Sequence, residues 1–261
     1  MPELRQYVTS ELEGWRQTRG RAERLREVPF PGVPLVLNLG APWYVANGRA
    51  PGSAKRHDSF VAGLHTTPSF VEGDNTWECI ELRLTPLGAH RLIGGPMDEV
   101  ANETVALEEL LPGSETLTGR LREADSWVER FDLVEAFLVR RLADAAAPSP
   151  AIEWSWAQLH KSHGRISIAR IADELGWSHR RLISRFREQL GLTPKAVARV
   201  IRFDRAVQLL AGSAPSTLAS VAYDCGYFDQ AHMNRDFRDL ADMTPAELLA
   251  RRRSTTGAVA A

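Results

Sequence analysis

The 261-residue chain has little cysteine, no long apolar run and almost no net charge, and each shortage removes a class of protein. Its two cysteines, Cys79 and Cys225, lie far apart with no metal-type spacing. They cannot build a disulfide scaffold or a zinc finger, and such sparse use suits a reducing compartment. No stretch approaches the ~20 apolar residues that span a bilayer, so no membrane partner is expected. Met1 to Arg16 carries Glu3, Arg5, Glu11 and Glu13 and lacks the apolar centre of a secretory signal, which makes the cytoplasm the expected location. What is present, 44% hydrophobic and 25% charged residues, is the mixture of a folded globular protein and excludes disordered, collagen-like and fibrous classes.

The net charge of -1 hides an asymmetry. Residues 152–261 hold 16 Lys and Arg against 11 Asp and Glu, or +5, leaving 16 against 22, or -6, for residues 1–151. A basic tail half on an acidic partner favours a nucleic-acid-facing module at the C-terminal side. The boundary falls at Asp144-Ala-Ala-Ala-Pro-Ser-Pro-Ala151, small residues with two prolines, which reads as a linker. Before it, Val33–Val45, Ser59–Leu64 and Trp77–Leu84 are short β-rich or alternating runs, as in a barrel or sandwich, and Leu117–Leu142 is amphipathic at helical spacing. The expected fold class is α+β: a β-rich domain with helices at its end over 1–146, a linker over 147–151, an all-α domain over 152–253 and a disordered tail over 254–261.

An internal repeat organises the helical half. Ile171-Ala172-x3-Gly176 recurs as Val221-Ala222-x3-Gly226 at an offset of 50; Phe186-Arg187 and Thr193-Pro194 recur as Phe237-Arg238 and Thr244-Pro245 at an offset of 51. The small alanine suits a helix crossing, and the glycine suits a turn that needs positive φ. Ser178 and Asp229 are placed to cap the helix that follows each turn. Two helix-turn-helix units are therefore expected at about 168–190 and 218–240. Between them a helix from about Pro194 to Ala211 would be ~27 Å long, of the order of one DNA turn. Arg180, Arg181 and Arg185 fall on the helix that would enter the groove, whereas Trp177, Leu182, Phe186, Tyr227, Met233 and Phe237 are expected in the core.

Residues Ile168–Leu248 closely resemble the DNA-binding domain of the arabinose-regulator (AraC/XylS) family, most specifically in Gly226-Tyr227-Phe228-Asp229-Gln230-x-His232-x-x-Arg235-x-Phe237 followed by Thr244-Pro245. The resemblance implies a sequence-specific transcription regulator, with no cofactor, that binds double-stranded DNA through two adjacent major grooves. It implies contacts from Ser178, His179, Arg180, Arg181, Ser184, Arg185 and Thr193 in the first unit, and from Asp229, Gln230, Ala231, Asn234, Arg235 and Thr244 in the second. Of these, Arg180, Arg181, Ser184, Gln230, Ala231 and Arg235 would meet base edges, while Thr193, Asn234 and Thr244 would meet phosphates. Ser184 departs from the family, which often has arginine there, so Arg180 or Arg185 would carry more of the reading. The resemblance further implies a cupin-like N-terminal barrel that senses a small molecule or makes a homodimer, with RNA polymerase as a partner of an activator. The stripe Val128, Phe131, Val134, Phe137, Leu138, Leu142 would either pair with its twin or pack on the barrel.

Two other readings have less in the residues to support them. A metal-using cupin enzyme needs a His-x-His pair, and His57, His65 and His90 are isolated; Cys79 reads as core, and no Ser/His/Asp set, P-loop or dinucleotide motif is visible. A non-specific architectural DNA binder would carry a stronger positive field. Asp224, Asp229, Asp236, Asp239 and Asp242, clustered around the second unit, predict that it binds DNA less tightly than the first.

Overall fold

The computed structural model describes residues 5–17, 24–48, 54–73, 76–143, 145–212 and 217–255. Asp144 in the boundary segment and residues 256–261 of the tail lie outside that set.

Among the described residues, nine strands form two antiparallel sheets. They are β1 (Glu13–Gln17), β2 (Arg24–Glu27), β3 (Val33–Asn38), β4 (Trp43–Asn47), β5 (Lys55–His57), β6 (Phe60–Ala62), β7 (Ser69–Glu72), β8 (Trp77–Leu84) and β9 (Thr104–Ala106). One sheet has the order β1-β8-β3-β6-β9 and the other β2-β7-β4-β5. Alternation along β8 assigns its faces. Ile80, Leu82 and Leu84 belong to the large core shared with the helices, whereas Cys79 joins Val36, Val45, Phe60 and Val71 between the sheets. The sandwich therefore buries both faces of the five-stranded sheet.

Helices α1 (Pro86–Ile93), α2 (Leu107–Leu110), α3 (Ser114–Glu123) and α4 (Trp127–Ala143) cover that sheet's outer face. The start of α1 is set by Thr85, whose hydroxyl accepts the Gly88 N–H, with Pro86 in the first turn. On α4, Val134, Leu138 and Leu142 are buried in the core, and Arg130 is buried beside them, donating to the Leu121 carbonyl and to Glu78. The amphipathic stripe thus packs within the chain, with Val128 left exposed.

The remaining elements are helical: α5 (Pro150–Lys161), α6 (Ile168–Leu175), α7 (His179–Leu190), α8 (Pro194–Ala211), α9 (Leu218–Asp224), α10 (Gln230–Ala241) and α11 (Pro245–Thr255). Pro150 and Ala151, read from composition as the end of the linker, form the first turn of α5, because proline is preset for that position. Likewise Ser254 and Thr255, read as tail, continue α11. No described helix is long and apolar enough to cross a membrane.

The two helix-turn-helix units are attached unequally. Leu182, Phe186 and Leu190 of α7 belong to the same buried cluster as Leu35, Ile80, Leu92 and Met97 of the N-terminal half. At that seam Gly191 has φ 86, and a Cβ there would lie 2.8 Å from the Met97 carbonyl oxygen. The second unit has a separate core of Phe203, Val221, Met233, Phe237 and Leu240, met from the N-terminal half by Val28.

Candidate nucleic-acid interface

Each unit's turn is built from local backbone chemistry. In the first, Gly176 takes φ 62 and the Trp177 N–H returns to the Ala172 carbonyl at 2.9 Å. Ser178 then opens α7 by accepting the Arg181 N–H at 3.3 Å. In the second, Gly226 takes φ 76, the Tyr227 N–H returns to the Ala222 carbonyl at 2.9 Å, and Asp229 accepts the His232 N–H at 2.6 Å. The residue gained by the second copy is accommodated in the turn as Phe228. Ala172 and Ala222 are each 1% exposed, so their small side chains permit the close helix crossing.

The apolar side of α7 and α10 is filled by Leu182, Phe186, Met233 and Phe237, all with no exposure. Trp177 is half-buried and Tyr227 buried, which makes them packing residues and leaves the opposite faces to solvent. On α7 that face carries His179, Arg180, Arg181 and Ser184, all exposed. The Arg181 guanidinium rests 4.4 Å from the centre of the Trp177 ring, which orients it along the helix. Arg185 is half-buried and paired with Glu188 at 2.7 Å. On α10, Gln230, Ala231 and Arg235 are exposed, Arg235 one turn beyond Ala231, while Asn234 is half-buried with its Oδ1 unpartnered.

Several proposed contact residues also serve the helices themselves. Thr193 caps α8 by accepting the Ala196 N–H at 3.3 Å, which leaves its hydroxyl proton available. Thr244 is tied into a capping box: Glu247 accepts its N–H at 2.7 Å and its hydroxyl at 2.8 Å. The oxygens of Ser178 and Asp229 are likewise engaged at helix starts.

The acidic residues around α10 are not a free negative surface. Arg199 of α8 binds Asp236 at 2.7 Å and Asp239 at 2.5 Å, and burial of its guanidinium is outweighed by these carboxylates, which raise its pKa. Arg26 of β2 donates to the Ala241 and Asp242 carbonyls at 3.1 and 3.0 Å. Asp229 is engaged as a cap and Asp236, Asp239 and Asp242 each pair with an arginine, while Asp224 stays exposed. Tyr223, which sequence reasoning passed over, and Phe228, which it named only within the signature and not as a contact, are 82% and 93% exposed. The one-residue gain in the second copy was the available signal for Phe228.

Burial, with Glu81 and Glu78 nearby, pushes the Cys79 thiol up to about 12, and burial pushes Cys225 up to about 11. Neither is poised as a thiolate. Among the described residues no group of three or more His, Cys, Asp or Glu could hold a metal ion.

Residues 171–251 match the family model described as a helix-turn-helix domain. No curated protein sequence matches the chain. Among solved structures, ToxT from Vibrio cholerae O395 is 11% identical with a TM-score of 0.52, covering 95% of this chain and 98% of its own. ToxT from Vibrio cholerae strain SCE256 with unsaturated fatty acid bound is 10% identical with a TM-score of 0.54, over 93% and 96%. A probable AraC family transcriptional regulator from Rhodopseudomonas palustris CGA009 is 30% identical over 40% of this chain and 97% of its own, with a TM-score of 0.36.

Proposed function

We propose, from the premise that the chain belongs to the AraC family of transcription regulators, that α7 and α10 read two adjacent major grooves on one face of a DNA duplex. The observation that carries this reading is the pair of exposed faces at the two ends of one 18-residue strut, α8. Arg180 and Arg181 project from one face, Gln230 and Arg235 from the other. Arginine forks suit guanine O6 and N7, and glutamine suits adenine N6 and N7. Arg185, tied to Glu188, serves position more than sequence, and His179, Ser184 and Ala231 complete the groove-facing surfaces. Thr193 and the backbone N–H groups at the capped helix starts set register on phosphates. Asn234 and Thr244 are placed for the same role in the second unit, Thr244 by exchanging Glu247 for a phosphate. Ser178 and Asp229 act at the interface as caps that hold those N–H groups toward the backbone.

The N-terminal sandwich is the receiver of a small molecule in this reading, and the fatty acid held by ToxT in its structure is the precedent among similar folds. The protein acts in the cytoplasm, and RNA polymerase is its further partner where the operator is activated. Homodimer formation draws no support from the stripe on α4, which the chain's own core occupies.

The test is selection of bound duplexes from a random pool by the full-length protein, with a salt titration on the winners. A motif with two half-sites about one helical turn apart is expected, with Arg180→Ala erasing preference in one half and Arg235→Ala in the other. Uniform, steeply salt-dependent binding to every duplex would overturn the reading.

A further inference from the structure

The two turns of the helical half differ by one side chain, and that side chain has no task in the fold. In the first unit Trp177 follows Gly176, and Ser178 caps α7 at once. In the second, Tyr227 takes the packing place of Trp177: its N–H closes on the Ala222 carbonyl as the Trp177 N–H closes on that of Ala172, and it is 5% exposed. Phe228 is then interposed before the cap, Asp229, and is the most exposed of the large apolar side chains among the described residues.

The backbone that carries this phenyl ring is held on both sides. Asp229 accepts the His232 N–H, and the His232 ring stands edge-on to Tyr227 at 5.3 Å between ring centres. Behind the turn lies Arg165, whose Cγ would be 2.7 Å from a Cβ placed on Gly226. The ring is therefore displayed on a fixed loop, and little backbone freedom remains to be lost when a partner covers it.

Its place in the reader narrows what that partner is. Phe228 precedes the α10 cap by one residue and Gln230 by two, so it stands at the helix end that meets base edges when a recognition helix enters the major groove. A phenyl ring gives no hydrogen bond to a phosphate or to a polar base edge, and covering either with it would cost that group its water. The apolar feature that the major groove displays is the C5 methyl of thymine.

We propose that Phe228 reads a thymine methyl in the half-site of α10, adding an apolar determinant to the polar ones of Gln230 and Arg235. The inference rests on the reading of α10 as a groove-entering helix and names a further feature of the sequence it selects.

The experiment starts from the selected operator and the half whose preference Arg235→Ala erases. Each thymine of that half is replaced in turn by deoxyuridine, which removes the methyl and keeps the pairing, and each duplex is titrated with the full-length parent and with Phe228→Ala. At one thymine the parent should lose about fourfold in affinity, the worth of one buried methylene-sized group. Phe228→Ala should bind the unmodified operator about fourfold more weakly and be indifferent to the same replacement. The ring packs on nothing in the free protein, so the variant should unfold at the parent's temperature, and with no phosphate contact removed its salt slope should be unchanged. A half-site without thymine, tolerance of deoxyuridine at every position by the parent, parental affinity in Phe228→Ala, or equal sensitivity of the variant to the lost methyl would each overturn the proposal. Parental affinity is also the result expected of a ring that docks a protein such as the polymerase. A protein that selects an operator and ignores its methyls refutes the methyl reader alone, whereas selection of no operator removes the reading of α10 with it.

Discussion

Arg199→Ala tests the packing logic of the second unit most directly. Arg199 projects from α8 and closes on two carboxylates of α10, one of which, Asp236, is 6% exposed while Asp239 is 57% exposed. Removing one partner of a fully buried ion pair costs about 3–5 kcal/mol, because the other charge is left without compensation. Here the guanidinium is 31% exposed and half of its pairing goes to a surface carboxylate, so the expected loss is about 2–3 kcal/mol. The Asp236 Oδ2 is already buried without a partner, so the mutation leaves both oxygens unpaired. Denaturant unfolding gives the stability change, and a double-mutant cycle with Asp236→Asn isolates the pair, with a coupling of about 1–3 kcal/mol expected. Because Arg199 is engaged by carboxylates, the salt dependence of DNA binding should keep its slope, whereas loss of a phosphate contact would reduce it by about one. A stability cost below about 0.5 kcal/mol, a coupling near zero, or a shallower salt slope would refute the assignment.

Gly191→Ala should destabilise the protein by roughly 1–3 kcal/mol, since it adds a left-handed alanine and a methyl group against the Met97 carbonyl; a cost under about 0.5 kcal/mol in denaturant unfolding would show that the seam yields. Arg26→Ala should raise amide exchange in the last turn of α10 and leave α7 unchanged, because Arg26 holds the Ala241 and Asp242 carbonyls. Burial raises the Glu78 pKa, but hydrogen bonds and charges from Arg16 and Arg130 outweigh it and hold the carboxyl below its usual range. The stability it adds is therefore present above the unfolded pKa and lost as pH falls through the depressed folded value. Glu78→Gln should be less stable than the parent by roughly 1–3 kcal/mol at pH 7, with the gap closing below about pH 4; a gap independent of pH would contradict the ion pairing.

What could be read from the sequence is what depends on neighbours in the chain. Gly176 and Gly226, the caps Ser178 and Asp229, and the Thr-Pro starts each act within four residues, so their spacing carried the helix-turn-helix geometry. The partners of the acidic residues were not readable, since Asp236 meets Arg199 across 37 positions and Asp242 meets Arg26 across more than 200. The α4 stripe announced an apolar face without naming what covers it; only the packed structure assigns Val134 and Leu138 to the chain's own core. Strand candidates were visible in Val33–Val45 and Trp77–Leu84, yet the pairing of β1 with β8 depends on closing a loop of about 60 residues, which alternation does not specify.

The unequal attachment of the two units makes the molecule a pair of callipers with one jaw welded to its handle. The first jaw shares its core with the sheets; the second rides at the far end of α8 on a core of its own and is met from the handle through Arg26 and Val28. A tilt of ~10° about the near end of a ~27 Å arm carries its tip about 5 Å, more than the ~3.4 Å rise of one base step. A change too small to disturb the sandwich can therefore move the second reader out of register with the first, so the gap between the jaws is the quantity that a signal has to set.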